Sequence, residues 1–376
     1  MMKTGKNKRL LASILAASML LAMSPFALAD ETEGQEQPVE GGGTEQTCAA
    51  KIGETEYSTL AGAIDAANIY DANSDVTIVM LRDVTENIEI NKSLTLDLGG
   101  HTLSGNTNAA VVTISGDETQ VTVENGTVTG GRNPQNGGGF AIDNAVVQLQ
   151  DLTITGNEAV GGNGNGEVGG GGIYASHADV SMQNVTVSAN SVTGNSSDGG
   201  GILVRYGSLT MNGCHVEGNT APDCGGGMLL RHSVLNAAKS FFENNTAKFG
   251  AGIYFGDTPN EAEEGCSGEH NHLSTDSTIS GNKVLDPENG IGGGMYVGTT
   301  SNLTLRNSKL LNNDGASQGG AIVAYSAGTI ELDDVSISEN KAQSGAGIFA
   351  LCTAVCNTDI RLLNGTAIDT NTATGY

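Results

Sequence analysis

The feature that most restricts the fold of this chain is a repeat of roughly 25–30 residues that begins near residue 140. Its first marker is a Gly or Ala pair before an aliphatic residue, as in Gly171-Gly172-Ile173. Its second marker is an Asn that closes a short alternating segment. These asparagines are Asn157, Asn190, Asn219, Asn245, Asn282, Asn313, Asn340 and Asn371. Both markers share one period, so each repeat is one structural unit.

Apolar and polar residues alternate between the markers, for example from Ile330 to Ile337. Alternation over four to eight residues predicts strands with one buried face. The unit is too short to hold a helix as well, so we predict an all-β parallel β-helix in which each repeat is one coil. Glycine permits a positive φ at the corners, and Asn tolerates the left-handed corner. Stacked Asn amides can also form a hydrogen-bonded ladder from coil to coil.

Upstream of the regular repeats, shorter alternating segments predict earlier coils. These segments are residues 76–81, 87–90, 94–98, 110–114 and 121–123. In total we expect roughly ten coils in one elongated domain over residues 48–376, about 50 Å long at about 4.8 Å per coil. The sequence stops where the next Gly-rich corner should begin, so we expect a longer parent protein or a partner that covers this end.

Residues 58–69 differ from the strands around them and predict a short helix. Ser58 is its expected N-cap. Its apolar face contains Leu60, Ala63, Ile64 and Ala67. This helix would cap the N-terminal end of the coil stack.

The charge of the chain excludes some partners. Lys and Arg number 17 against 42 Asp and Glu, which gives a net charge of −25. Nucleic acids and anionic membranes attract basic surfaces, so we expect neither as a partner. Aromatic residues make up only 4% of the chain, so small aliphatic side chains must fill the core.

The N-terminus has the pattern of a secretory signal peptide over residues 1–29. Basic residues precede an apolar run at residues 10–23, and Ala27-Leu28-Ala29 forms an A-x-A cleavage site. The run is too short to span a membrane. Residues 30–47 predict an acidic flexible linker. We therefore expect a secreted or cell-surface protein without membrane insertion after signal removal.

Six cysteines in an exported chain permit disulfides, with 15 possible connectivities. Cys214 lies close to Cys224 in the sequence, and structural staples or buried thiols are the favoured interpretation. Cys266, His270 and His272 resemble a ligand cluster, but their spacing matches no common metal site. We interpret that segment as an acidic surface loop and predict no metal site and no cofactor.

Two groups of motifs carry a family resemblance. Gly319-Gly320-Ala321-Ile322 and Phe242-Glu243-Asn244-Asn245 resemble the GGA[ILV] and FxxN repeats of chlamydial polymorphic outer-membrane proteins. Residues 50–105, with Leu96-Asp97-Leu98-Gly99-Gly100-His101, are similar to the start of bacterial secreted proteins of the pectate-lyase-like superfamily. The resemblances imply a right-handed β-helix, and the first implies a surface-exposed adhesin.

Catalysis on such a fold needs carboxylates at the same offset in neighbouring coils. In the column six residues before each marker Asn, no two adjacent coils both have an acid. The column consists of Asp151, Asn184, Gly213, Lys239, Asp276, Asn307, Asp334 and Gly365. Turn-capping Asx residues explain it better than a calcium site, so we assign no catalytic residue.

A second column should point outward, because it follows the inward aliphatic residue of each marker. It reads Asp143, Tyr174, Leu203, Leu229, Tyr254, Tyr296, Val323 and Phe349. We call it the outward stripe. Two residues further on lie Arg205, Arg231 and Tyr325. An exposed stripe of this kind indicates a contact surface for glycan rings or for a protein.

The candidate ligand-binding residues are therefore Tyr174, Arg205, Arg231, Tyr254 and Tyr296. The alternative is that Gly-rich loops fold over the stripe, or that β-propensity alone selects these residues. We expect a non-catalytic, adhesin-like protein that binds glycans or host or cell-surface proteins. A polysaccharide-active lyase or glycoside hydrolase is one alternative function, and a passive spacer that presents other domains is another.

Overall fold

The computed structural model describes residues 48–69, 76–161, 168–194, 197–256, 270–299, 301–352 and 358–375. These residues form a right-handed parallel β-helix of about nine turns with one short helix, which confirms the predicted fold. The predicted signal peptide and linker lie outside the described residues. In the part that the structure describes, no helix is long and apolar enough to cross a membrane.

The described strands form three parallel ladders, which we call faces A, B and C. Two long strands, Val112–Thr129 and Phe140–Thr155, run through all three faces. Face A also contains Ile88–Ile90, Ile173–Ser176, Ile202–Arg205, Met228–Arg231, Ile253–Phe255, Met295–Val297, Ile322–Tyr325 and Ile348–Leu351. Face B also contains Thr77–Met80, Leu94–Asp97, Asp179–Gln183, Ser208–Asn212, Val234–Ala238, His270–Thr275, Ser301–Arg306, Thr329–Asp333 and Asp359–Leu363. Face C also contains Val84–Thr85, Thr102–Ser104, Thr186–Ser188, His215–Glu217, Phe241–Glu243, Thr278–Ser280, Lys309–Leu311, Ser336–Ser338 and Ala367–Asp369.

Shorter strands follow the corners between face C and face A. One corner ladder contains Arg132–Asn133, Glu158–Val160, Ser191–Thr193, Thr246–Ala247, Lys283–Val284, Lys341–Ala342 and Thr372–Ala373. A second corner ladder begins where Val168–Gly169 pairs with Ser197–Asp198. Isolated bridges between later coils continue this second ladder. At the N-terminal end, Ala50–Ile52 pairs antiparallel with Thr55–Tyr57 and with Thr77–Met80.

The repeat markers stack as predicted, with one correction of register. Ile173 pairs with Ile202 in the next coil and with Phe140 in the previous one. The inward residue of the first marker is therefore Phe140, and the outward stripe begins at Ala141 instead of Asp143. Apolar side chains of these columns fill one continuous core between the three faces.

The marker asparagines form the predicted buried ladder, and Asn245 shows its pattern. Asn245 Nδ2 donates to Asn282 Oδ1 at 3.0 Å and to the carbonyl of Val216 at 2.9 Å. Asn245 Oδ1 accepts from both the backbone N and Nδ2 of Asn219, at 3.0 and 3.1 Å. The left-handed residue is the one before the marker, such as Asn244 with a φ of 56°. Our placement of the left-handed corner on the marker itself was therefore wrong.

The column of Asx residues six positions earlier does lie at left-handed corners. Asp151, Asn184 and Asp276 have φ values of 51°, 53° and 51°. Asn184 Nδ2 donates to Asp151 Oδ1 at 3.0 Å, so neighbouring corners are hydrogen-bonded. Asp and Asn adopt this conformation at less cost than most residues, which explains the column without a metal ion.

The helix spans Leu60–Ala67 and packs its predicted apolar face against the first coils. Its N-cap is Thr59, because the extended backbone there lets Thr59 Oγ1 accept from Gly62 N at 3.0 Å. The prediction of Ser58 as the cap was one residue too early. The Glu86 carboxylate accepts from the backbone N of Leu60 and Ala61, which satisfies further donors of the first turn.

At the other end, the last described coil exposes side chains of inward columns. Leu332 is fully buried, whereas Leu362, its partner in the next coil, is 52% exposed. Ile337 and Ile368 show the same contrast on face C. No described segment stacks on this last coil.

Candidate functional site

A second apolar layer covers most of the predicted outward stripe. Cys224, Phe249 and Ile291 bridge to one another in neighbouring coils and pack over the stripe. Tyr254 and Tyr296 are only 3% and 7% exposed beneath them. Our prediction that these two tyrosines are exposed was wrong, and the alternative of covering loops holds. The reason is that the Gly-rich segments form a ladder of their own outside face A.

Arg231 is also buried, which corrects its predicted position on the surface. Its Nη2 lies 2.8 Å from Asp198 Oδ2, and both side chains are almost fully enclosed. Asp198 Oδ1 accepts from the backbone N of Cys224 at 2.8 Å. Arg231 therefore neutralises a carboxylate of the covering layer. Arg205 remains partly exposed, with its guanidinium 5.8 Å from the ring centre of Tyr206.

Burial favours the neutral forms of the Tyr254 and Tyr296 phenols and of the Cys224 thiol. Tyr254 and Tyr296 stack with ring centres 4.5 Å apart, and burial raises the pKa of both phenols. Burial, followed by the charge of Asp198, raises the pKa of the Cys224 thiol well above its usual value. The layer therefore contributes packing between coils and offers no thiolate nucleophile.

The described cysteines do not form the short-range staple that the sequence permits. Cys214 lies in the main core, and its Sγ contacts the carbonyl of Met182 at 3.5 Å. Cys224 lies in the outer layer and remains a thiol, as Cys214 does. Cys266 and Cys356 lie outside the described residues.

His272 corrects the interpretation of its segment as a surface loop. It is 3% exposed and stacks on Phe255 with ring centres 4.0 Å apart. Burial, aided by His270, lowers the pKa of His272 to about 3. His272 is therefore a neutral core residue, whereas Cys266 lies outside the described residues.

In the earlier coils of the part that the structure describes, two neighbouring depressions form what we call the acidic groove. The first has a volume of about 290 Å³ and is lined by Thr113, Ile114, Ser115, Gln135, Asn136, Ala141, Ile142, Asp143 and Tyr174. The second has a volume of about 280 Å³ and is lined by Asp117, Glu118, Asn144, Ala145, Val146, His177 and Asp179. Asn144 Nδ2 donates to Asp143 Oδ2 at 2.8 Å, so one hydrogen-bonded pair connects the two linings.

Local backbone structure explains why the groove lies there. The outward residues of face A in these coils include Thr113 and Ala141, which are too small to fill the space beside Tyr174. A bulge shifts the register between Asp143 and Ala145. Bulges redirect side chains, and this one lies at the corner between faces A and B, where Asp143 and Asn144 line the groove.

The corner of the groove presents the His177 imidazole in a fixed orientation. Its Nδ1 lies 3.0 Å from Ser176 Oγ, and its ring stacks on Tyr206 at 5.0 Å. Tyr206 stacks in turn on His232 at 5.0 Å. These residues have left-handed backbones at the same corner of successive coils, with φ values of 50°, 54° and 46°. The stack restricts His177 without burying it.

Carboxylates dominate the electrostatics of the acidic groove. Asp117, Glu118, Asp143 and Asp179 are all exposed, and no Lys or Arg is among the described lining residues. Ser208 Oγ donates to Asp179 Oδ1 at 2.5 Å. The groove therefore offers many hydrogen-bond acceptors and repels anionic ligands.

Of the five predicted site residues, the structure places one, Tyr174, in this groove. It is partly buried against the second layer, and its neighbours in the groove carry hydroxyl, amide and carboxylate groups. Sequence reasoning placed Asp143 in the outward stripe in the wrong register, and it assigned no role to His177 or to the other carboxylates of the groove, which lie at the corner beside face A. The column of left-handed corners at Asn144, His177 and Tyr206 is the signal that could have identified them.

A second cluster that the sequence analysis missed lies on face C. Glu217 pairs in register with Glu243 of the next coil, and the nearby His215 stacks on Phe241 at 4.6 Å. The donor atoms of His215, Glu217 and Glu243 all lie within 4.8 Å of one another. Both acids lie two residues before a marker Asn, whereas the predicted position for paired carboxylates was six residues before it.

Comparison of the chain with protein-family models, with curated proteins and with solved structures finds no match.

Proposed function

We propose that this protein is an exported, adhesin-like binding protein that holds glycans in the acidic groove. The observation that carries the proposal is the open groove itself, where Tyr174 lies among side chains rich in hydrogen-bond acceptors. Binding sites combine an apolar surface with a few polar groups that orient the ligand. A tyrosine ring beside carboxylates and amides supplies both for a sugar, which has apolar CH faces and many hydroxyl donors.

The charge of the groove selects the class of glycan. Asp117, Glu118, Asp143 and Asp179 are exposed carboxylates, and each repels the carboxylate of a uronic acid. Neutral sugars and amino sugars instead donate hydrogen bonds to these acids. We therefore propose neutral or amine-bearing oligosaccharides as ligands and disfavour polyuronides.

Support for export and for surface exposure comes from the sequence. The signal-peptide pattern over residues 1–29 supports a secreted or cell-surface location. The repeats that resemble chlamydial polymorphic outer-membrane proteins support an adhesive role. A rigid β-helix would hold the groove at a fixed distance from its attachment point.

The test is binding of the purified protein to immobilised neutral, amine-bearing and uronic-acid oligosaccharides. We expect Tyr174→Ala to weaken binding about tenfold, which corresponds to the roughly 1–1.4 kcal/mol that an aromatic contact contributes. Tyr325→Ala is the matched control, since Tyr325 also packs at the margin of the second layer but lies outside the groove. Equal losses in both variants would contradict a role for the groove.

The same panel separates the alternatives. Release of reducing ends or of unsaturated uronides would favour a polysaccharide-active enzyme over a binding protein. No binding to any glycan by a folded sample would favour protein partners or a passive spacer.

A further inference from the structure

The structure assigns a binding site for a divalent transition-metal ion, such as Zn²⁺, to His215, Glu217 and Glu243 on face C. This site is independent of the proposed glycan groove. One coil supplies an imidazole and a carboxylate, and the next coil supplies a second carboxylate. The two coils would thus be joined by an ion as well as by backbone hydrogen bonds.

The donor set and its spacing fit such an ion. Zn²⁺ binds His nitrogen and carboxylate oxygen at about 2.0–2.2 Å, so two ligands of one tetrahedral ion lie roughly 3.3 Å apart. The donor atoms of the three residues already lie within 4.8 Å of one another. None of the three side chains is buried, so rotation about their side-chain bonds can close the remaining gap of roughly 1.5 Å.

Neighbouring residues hold two of the three ligands in place. The His215 ring stacks on Phe241 with ring centres 4.6 Å apart and an angle of 12° between the planes. Ser280 Oγ, from the coil beyond, donates to Glu243 Oε1 at 2.8 Å. Hydrogen bonds from outside the cluster that fix a carboxylate ligand are typical of metal sites. The ligands are therefore partly preorganised by residues that do not bind the ion.

Charge balance supplies the reason for binding. Glu217 and Glu243 are directly opposite each other in a parallel pair, and like charges at such positions repel. A divalent cation neutralises both. The imidazole favours Zn²⁺ and similar ions over Ca²⁺ and Mg²⁺, which prefer oxygen ligands alone.

The experiment is equilibrium dialysis of the purified protein against Zn²⁺ at neutral pH, after alkylation of accessible thiols such as Cys352. We expect wild-type protein to hold one more Zn²⁺ than Glu243→Gln or His215→Gln at the same free concentration. The affinity of this site should fall at least about 100-fold in either variant, since loss of a supporting residue alone costs 10–100-fold. Co²⁺ in the site should give a visible absorption band that both variants lack.

Glu89→Gln is the matched control, because Glu89 is an exposed outward glutamate on face A. It should retain wild-type binding. Far-ultraviolet circular dichroism before dialysis shows that each variant is folded. Equal Zn²⁺ binding by wild type and Glu243→Gln would overturn the assignment. Displacement of Zn²⁺ from this site by an equal concentration of Ca²⁺ would overturn the assignment to a transition metal.

Discussion

Replacement of Asn245 by Ala tests whether the buried Asn ladder stabilises the stack of coils. Asn245 is fully buried, and its Oδ1 accepts two hydrogen bonds from Asn219. Asn245→Ala removes this acceptor and leaves the backbone N–H and one Nδ2 hydrogen of Asn219 without it. No water can replace the lost acceptor without entering the core.

The magnitude follows from these two donors. A buried donor that loses its partner costs about 1–3 kcal/mol, so two of them cost about 2–6 kcal/mol. We therefore expect Asn245→Ala to lower the free energy of unfolding by about 4 kcal/mol, near the middle of that range. Natural domains are stable by only about 5–15 kcal/mol, so the loss would be easily measured.

The matched control is Asn371→Ala, in the last described coil. Asn371 Oδ1 accepts from the backbone N and from Nδ2 of Asn340, at 3.0 and 2.9 Å, which is the same pattern. Asn371 is partly exposed, so water can take over as acceptor. We expect this variant to lose at most about 1 kcal/mol.

Urea unfolding followed by far-ultraviolet circular dichroism gives both values, provided that the slope with denaturant is unchanged. Amide hydrogen exchange at Asn219 gives a local check, because its backbone N–H loses its acceptor in Asn245→Ala. Equal losses of free energy in the two variants would contradict a stabilising role for the buried ladder. A loss below about 1 kcal/mol in Asn245→Ala would contradict it as well, since two buried donors would then carry no cost.

Two further predictions concern the buried ion pair and the thiols. Arg231→Met should lower the free energy of unfolding by about 3–5 kcal/mol, because it removes the buried guanidinium that lies 2.8 Å from the Asp198 carboxylate. The double variant Asp198→Asn/Arg231→Met should recover part of that loss in the same urea assay. Iodoacetamide should label Cys352 quickly, since hydrogen bonds from Thr358 lower its thiol pKa and its thiolate forms at lower pH than usual. Cys214 and Cys224 should stay unlabelled in the folded protein, since burial raises the pKa of both thiols. Peptide mass spectrometry that finds them labelled as fast as Cys352 would contradict their burial.

The sequence predicted the fold well because the repeat carries the same information many times. Most copies place an inward aliphatic residue after a glycine pair, so the register from Ile173 to Ile202 follows from alignment of the copies. The first copy was misaligned, because Ile142 also fits the aliphatic position that Phe140 occupies in the structure. The helix was also predictable, because its apolar face has a period that strands lack. Its N-cap was misplaced by one residue, since Ser58 and Thr59 are both good caps and only the backbone decides between them.

The candidate site was less predictable. Alternation shows that Tyr254 points away from the core, but it does not show whether another segment covers that face. The cover depends on Phe249, which precedes Tyr254 in the same coil, and on Cys224 of the neighbouring coil. Tyr174 remains at the groove because the outward residue before it in the stack is the small Ala141.

The coil, its inward columns and the Asn ladder were predictable, because they depend on residues within one period and on copies of that period. Which outward residues meet solvent became clear from the packing of the folded chain. It paired Arg231 with Asp198 across 33 residues and packed Cys224 over the outward stripe. Such contacts depend on how loops of different coils pack against one another, and no period of a single repeat encodes that packing.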